Sequence, residues 1–280
     1  MCMTEKGFSV LISVYHAEQP SNLYASLRSI ITDQTLMPDQ IVLVIDGPIS
    51  QELVLVVKEF LADYPEVLEI LRLEQKMGLG HALSKGLEMC RYELVARMDS
   101  DDISHPSRFE KQFQFLNAHA EVSVVGSNIE EFIAEPGDLK VFKVLPETSE
   151  ALIHYSKKRS PVNHPSIMFR KSAVLAVGSY NDDFRLFEDY SLFARLVRNG
   201  FLFYNIQESL LFFRIGNRLD MIKRRSGWAY MKSEVRFLSF AHGIGHFSTI
   251  QYLKALCIRV PTRLLPPVIV LKIYATFLRK

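Results

Sequence analysis

QIVLVID, residues 40–46, decides the fold. From Ile41 to Ile45 it is apolar without a break and mostly β-branched, and Asp46-Gly47-Pro48 ends it. So short an apolar run between turn signals reads as a strand buried on both faces, the habit of parallel sheets. Upstream, Leu23, Leu27, Ile30 and Ile31 share one helical face, which predicts a helix from Asn22 to Thr32 with Ser21 as N-cap. Before it lies another β-branched run, FSVLISV, residues 8–14. Downstream, Ser50 caps a helix that reaches Tyr64, and Pro65 stops it. VLEILRL (67–73) is a third strand, Gly80 to Arg91 a helix, ELVARMD (93–99) a fourth strand, and Pro106 to His119 a helix with proline in its first turn. Strands starting at 40, 67 and 93 repeat about every 27 residues, the length of one strand–helix unit. The fold class is therefore α/β, a mostly parallel open sheet flanked by helices.

The second half is less regular. VSVVGSNIEEFI (122–133) reads as strand, bend at Gly126, strand, and PSIMFR (165–170) as a strand before a short helix from Lys171 to Val177. A helix is expected from Asp189 to Asn199, closed by Gly200. FLFYNI (201–206) and SLLFFRI (209–215) read as a hairpin or as two edge strands.

Charge divides the chain. Of 280 residues, 33 are Lys or Arg and 31 are Asp or Glu, a net of +2. Residues 216–280 alone carry +10, so the first 215 carry −8. A basic end on an acidic body calls for an anionic partner. Aromatic residues among those basic ones (Trp228, Tyr230, Phe237, Phe240, Tyr252, Tyr274 and Phe277) favour an anionic membrane surface over nucleic acid, because the whole is near neutral. The competing reading is that the aromatics before Phe247 close the core. No run of about 18 uncharged apolar residues is present, and LLPPVIVLKIYATFL (264–278) is broken by Pro266, Pro267 and Lys272. The start has no secretory pattern, and the three cysteines, Cys2, Cys90 and Cys257, form no disulfide framework or metal knuckle. The expected location is cytoplasmic, peripheral on the inner face of the plasma membrane.

The chemistry is expected outside the carboxyl ends of the strands. Tyr15 follows the first strand, Asp46 the second, and Asp99-Ser100-Asp101-Asp102 the fourth. Asp99-x-Asp101 suits a hard divalent ion, Mg²⁺ or Mn²⁺, whose shell phosphate oxygens complete. A calcium loop is excluded because its sixth position is Ser104 rather than Gly. An Asp99 nucleophile with a second Asp as acid, as in phosphatase-like hydrolases, remains a rival chemistry. Asp46 is able to read the N–H edge of a base, and Tyr15 to stack on its face. Gly78-Leu79-Gly80 opens a helix and permits backbone to approach a phosphate, without being a dinucleotide fingerprint. Glu188-Asp189, in RLFEDYSLFARL, offers a general base, with an N-cap as the alternative for Asp189.

Taken in order, these segments resemble the inverting, family-2 glycosyltransferases with the GT-A nucleotide-diphospho-sugar fold. The likeness spans roughly residues 7–215. SVLISVYHAE is similar to the family's opening strand, VLVIDG to its uracil-binding segment, MGLGHALSKGL to its Gly-containing helix and ARMDSDD to its metal motif. The resemblance implies Tyr15, Glu18, Asp46, Lys76, Gly78, Asp99 and Ser100 on a UDP-sugar donor, Asp101 with Asp99 on the metal, Glu188 or Asp189 as base, and His164 on the acceptor. It also implies a catalytic domain over residues 1–215, with a nucleotide half over about 7–105 and an acceptor half over about 106–215, while the basic, helical signal beyond Gly216 marks an appendage over 216–280. The usual Asn before the Gly-helix is replaced near Lys76-Met77, and the Gln-x-x-Arg-Trp motif of processive synthases is absent. The implied activity is non-processive transfer of one hexose (Gal, Glc or GlcNAc type) to a polyprenyl-diphosphate-linked saccharide of a surface polysaccharide such as O-antigen. A non-catalytic nucleotide-sugar or membrane binder is the other alternative.

Overall fold

A computed structural model describes residues 6–181, 184, 186–216 and 225–266. Tyr274, Phe277 and Cys2 lie outside them. The strand–helix repeat is present: β1 (Phe8–Val14), α1 (Pro20–Ile31), β2 (Gln40–Asp46), α2 (Gln51–Asp63), β3 (Leu68–Leu73), α3 (Leu79–Met89) and β4 (Leu94–Asp99). Boundaries move at helix starts. The helix expected from Pro106 begins at Arg108 with Ser107 in the capping position, so that proline lies in the preceding turn and not in the helix. The first helix starts at Pro20, with Gln19 in the capping position, so Ser21 lies inside the first turn. Proline fits there because a first-turn N–H has no intrahelical acceptor.

The rest comprises β5 (Ile103–Ser104), α4 (Arg108–Ala118), β6 (Val122–Phe132), β7 (Val141–Lys143), α5 (Ser149–Tyr155), a 3₁₀ turn at His164–Ser166, β8 (Met168–Arg170), α6 (Lys171–Ala176), α7 (Glu188–Arg198), β9 (Leu202–Arg214), α8 (Trp228–Gly243) and α9 (Thr249–Leu264). The sheet order is β3-β2-β1-β4-β8-β6-β9-β5, with β7 on β6. Strands β3, β2, β1 and β4 are parallel, β8 is antiparallel to both β4 and β6, and β9 runs parallel to β6. The sheet is thus mixed beyond β4.

Two expectations fail here for one reason. Residues 122–132 form one strand through Gly126, and residues 202–214 form one strand rather than a hairpin. They pair with each other along their length, with register shifts between Ser127 and Ile129. Polar Gln207 and Glu208, read as a turn, sit at that irregularity, and an irregular parallel pair is hard to tell from two short strands.

Alternation along each strand divides the core. Val10, Ile12, Ile41 and Leu43 face α1, α2 and α4. Leu11, Val42 and Val44 face α3, α6 and α7. A third cluster joins Phe187 and Tyr190 of α7 to Phe237, Leu238 and Ala241 of α8 and to Phe247. Phe237 stacks on Phe187 at 5.2 Å. The aromatics of α8 therefore close a core, as the competing reading had it, with Tyr230, Phe240 and Tyr252 packed against the same cluster. Trp228 stays 67% exposed.

Candidate active site

One side of the candidate site is built by the ends of β1, β2 and β4. Asp46, at the last position of β2, is buried, and its carboxylate accepts the N–H groups of Met77 (2.7 Å) and Gly78 (2.9 Å). It thus holds the loop before α3 against the sheet end. Gly47 (φ +82°) makes this contact possible, since a Cβ there would lie 2.6 Å from the Lys76 nitrogen. The loop carries Lys76 over the Tyr15 ring, with Nζ 4.4 Å from the centroid, a cation–π contact. Tyr15 is more than a third exposed.

Glu18 accepts the Ser100 hydroxyl (2.7 Å) with one oxygen, and the Gln19 amide (2.8 Å) and Asn22 side chain (3.2 Å) with the other. Ser26 donates to the Asp99 carbonyl (2.9 Å). Asp99 Oδ1 meets Arg97 Nη2 at 2.5 Å. Asp102 is fully buried, and one oxygen accepts the Arg214 amide (2.8 Å) while Arg214 Nε donates to the Asp101 carbonyl (2.8 Å). The loop after β4 is thereby fixed from α1 on one side and β9 on the other.

Ligand oxygens of Asp99, Asp101 and Asp102 lie within 4.8 Å of one another. Burial, then the charges of Asp99 and Glu18, pushes the Asp101 carboxyl up to about 7. Burial and both neighbouring acids raise Asp102 well above the usual carboxylate range. Carboxylates so crowded ionise together only beside a cation, and an all-oxygen set suits a hard divalent ion. The residues fit Mg²⁺ or Mn²⁺.

The second group of acids lies at the start of α7. Glu188 and Asp189 occupy its first two positions and Phe187 its cap, so Asp189 is not the N-cap; its carboxylate accepts the adjacent Tyr190 amide (2.6 Å). Glu188 is buried, and its Oε2 has no hydrogen-bond partner among the described residues. Burial, reinforced by Asp189, pushes the Glu188 carboxyl up to about 8. Gly80 permits the approach of α7 to α3, because a Cβ there would be 3.2 Å from that of Glu188 and 3.3 Å from the Asn181 carbonyl. His164 lies in the core beside this site. Its Nε2 meets the Tyr180 hydroxyl at 2.9 Å, its ring abuts Phe193, and burial drives its pKa well below the ordinary value.

Sequence reading singled out neither Arg97 nor Arg108, both almost fully buried. Burial, then the like charge of Arg97, pushes Arg108 down to about 9. Arg108 donates to the Arg97 carbonyl (2.7 Å), the Ile167 carbonyl (3.2 Å) and Gln112 (3.1 Å), and Gln112 reaches the Ser166 carbonyl (2.7 Å). This polar ladder pins α4 beneath β4 and the His164 turn. An arginine inside ARMD, two residues before the acid that ends a buried strand, was the available signal.

The doubly covered sheet, the acid triad after β4 and the facing acids of α7 define a nucleotide-sugar transferase architecture of the GT-A type. The "Glycosyl transferase family 2" profile matches residues 9–178, and the chain belongs to that family. It is 40% identical over 259 residues to the amylovoran biosynthesis glycosyltransferase AmsE of Erwinia amylovora, covering 92% of this chain and 94% of that one. It is 35% identical over 259 residues, 92% of each chain, to the UDP-Gal:alpha-D-GlcNAc-diphosphoundecaprenol beta-1,3-galactosyltransferase of Escherichia coli. Among solved structures, the mannosyltransferase PcManGT of Pyrobaculum calidifontis, in complex with GDP-Man and Mn²⁺, superposes with TM-score 0.67 over 98% of this chain and 76% of that one, at 16% identity. The chain is a glycosyltransferase, and its close relatives act in surface-polysaccharide biosynthesis.

Proposed function

We propose that this protein transfers one hexose from a UDP-sugar to a hydroxyl of a polyprenyl-diphosphate-linked saccharide, with inversion and without processivity. The observation that carries the reading is the juxtaposition of an acid triad that fits a divalent ion with a buried, proton-holding Glu188. The activity of the Escherichia coli relative supports a UDP-hexose donor, a lipid-diphosphate acceptor and a β-linked product.

In this reading Tyr15 stacks on the base once Lys76 leaves its ring and turns to the diphosphate. Asp46 acts through the loop it holds, which presents Lys76 and the Gly78 amide. Asp99, Ser100 and Glu18 meet the ribose and sugar, and Asp101 with Asp99 would hold Mg²⁺ or Mn²⁺. That ion, when bound, offsets the charge that develops on the diphosphate leaving group. Glu188, in its ionised form, takes the proton of the acceptor hydroxyl as that oxygen bonds to the anomeric carbon opposite the nucleotide and the bond to UDP breaks, and Asp189 beside it favours return of Glu188 to the protonated state. His164, committed to Tyr180, shapes the wall behind the acceptor rather than binding it. No protein nucleophile is needed.

The enzyme works at the membrane surface in this reading. No helix among the described residues is long and apolar enough to cross a membrane. Helix α9 instead turns Ile250, Leu253, Ile258 and Leu264 outward, while its Arg259 and Arg263 pair inward with buried Glu234 at 2.6 and 2.5 Å. In sequence, Lys254 and the basic residues beyond 266 accompany these apolar residues, a composition that suits an anionic bilayer.

A panel of UDP- and GDP-sugars against a synthetic GlcNAc-diphosphate-lipid tests the function. UDP release that requires both acceptor and divalent ion is expected. Release of inorganic phosphate, or no acceptor-dependent release from any donor, would overturn it.

A further inference from the structure

Arg97 is 1% exposed, and only one of its guanidinium nitrogens, Nη2, is used, on Asp99; Nε and Nη1 have no partner among the described residues. The nearby unpartnered groups are acceptors, Asp102 Oδ2 and Glu188 Oε2. Arg97 also bears electrostatically on Asp101, Asp102, Glu188 and Asp189, so one cation reaches the acids of both sides of the cleft. Burial works against its charge, and the charge and hydrogen bond of Asp99, with Tyr180 and Asp102, together offset that cost. Arg108 behind it repels it and holds its backbone through the Arg97 carbonyl.

We infer that Arg97 is a positioning residue that aims the Asp99 carboxylate and supplies the fixed positive charge allowing one cleft to hold five acids and a nucleoside diphosphate together. The inference rests on the donor reading above. The physical need is plain. A diphosphate approaching several carboxylates is repelled, and a divalent ion alone must then balance both. A buried guanidinium on the protein side lowers that repulsion in a region of reduced dielectric, where each charge counts for more than in water. It also competes with the ion for Asp99. Arg97 should therefore weaken cation binding and strengthen anion binding, opposite signs that loss of packing cannot produce.

Two titrations test it on the full chain: Mn²⁺ binding without nucleotide, followed by the paramagnetic signal of the free ion, and UDP binding at saturating Mn²⁺, followed by calorimetry. Arg97→Met is expected to bind Mn²⁺ more tightly and UDP more weakly than wild type, on the order of tenfold each way. Arg97→Gln, whose amide keeps a hydrogen bond to Asp99, should show the same signs. Arg97→Lys should return both constants to within about threefold of wild type, because the charge is kept, yet lose kcat with little change in donor KM, because the planar fork is gone. Weakening of both ligands together, no change in either, or failure of both neutral variants to fold would overturn the inference. Wild-type protein that binds neither Mn²⁺ nor UDP would instead dispose of the donor reading itself.

Discussion

The acids on the two sides of the cleft are held in different ways. At the sheet ends, the proposed donor side, Asp46 is held by two backbone amides, Glu18 by Ser100 and Asn22, and Asp99 by Arg97, while Asp102 keeps one buried oxygen without a partner among the described residues. At the start of α7, the proposed acceptor side, Glu188 likewise keeps a buried oxygen without such a partner, and burial pushes its carboxyl up to about 8. In the proposed reading the donor side is largely held in place before a ligand arrives, and Asp101 and Asp102, whose carboxyls burial and neighbouring acids push up, ionise fully when a ligand brings its own cation. The acceptor side is desolvated, its base uncovered only when the charge around it changes. A site that must bind an anion and then remove a proton gains from keeping these states apart.

The largest effect expected from breaking the donor side is at Asp101. Asp101→Asn keeps the shape and removes a ligand charge, and turnover should fall about 10³-fold or more, because metal stabilisation of a leaving group is worth several kcal/mol. The fall should come with unchanged circular dichroism. Full activity of this variant, or of wild type in excess chelator, would remove the metal from the donor side.

The acceptor side breaks next. Glu188→Gln should lower kcat by about 10²–10³-fold while UDP affinity holds, and Asp189→Asn should cost less. Wild-type turnover should climb with pH towards about 8, where the Glu188 carboxyl releases its proton. Stability should move the other way. The folded pKa of Glu188 lies above its ordinary value of 4.5, so the stability it lends is complete below that value and is lost as pH rises through about 8. Glu188→Gln should therefore lose less melting temperature than wild type between pH 6 and 9. Equal losses would mean that Glu188 is not the protonated acid.

This contrast also explains what the sequence made legible. Strands β1 to β4 announce themselves because parallel buried strands are mostly apolar and turn residues punctuate them, as Ser50 does by accepting the Leu53 amide at the start of α2. The acids at their ends were readable because position on the sheet fixes what they face. The irregular pairing of β6 with β9 was not, since Gly126 and Gln207-Glu208 mimic turns while long-range pairing overrides them. Arg97 and Arg108 were missed because a charged residue inside a strand or on an apolar helix face reads as solvent-facing, and only the fold shows both buried beneath the acids. The partners of Asp46 likewise come from a loop thirty-odd residues away, a contact no local pattern encodes.

A smaller effect sharpens the donor side. Tyr15→Ala removes the ring under Lys76, and if the base stacks there, the UDP dissociation constant should rise about tenfold, the low end of what such stacking contributes. Lys76→Ala frees the ring while removing a charge near the diphosphate, so its effect should grow at low salt, unlike that of Tyr15→Ala. Equal salt dependence of the two would mean that Lys76 does no more than cover the ring.

The smallest effect on chemistry, and the clearest on location, is expected from α9. Its outward stripe of Ile250, Leu253, Ile258 and Leu264 is apolar, whereas Arg259 and Arg263, which the basic tail suggested for lipid, face Glu234. If the stripe enters the headgroup boundary, binding to anionic vesicles has an apolar part that survives salt and an electrostatic part, from Lys254 and the residues beyond 266, that does not. Leu253→Ser with Ile258→Ser should then release the protein from vesicles at high salt and weaken binding at low salt, with turnover on a short-chain, water-soluble acceptor unchanged. The inward face of α9 rests on Glu234, so the double variant should keep its fold. Cosedimentation at two salt concentrations reads both parts at once. Wild-type protein that remains in the supernatant at low salt would end the membrane role, and a double variant that sediments like wild type at high salt would move that role off α9.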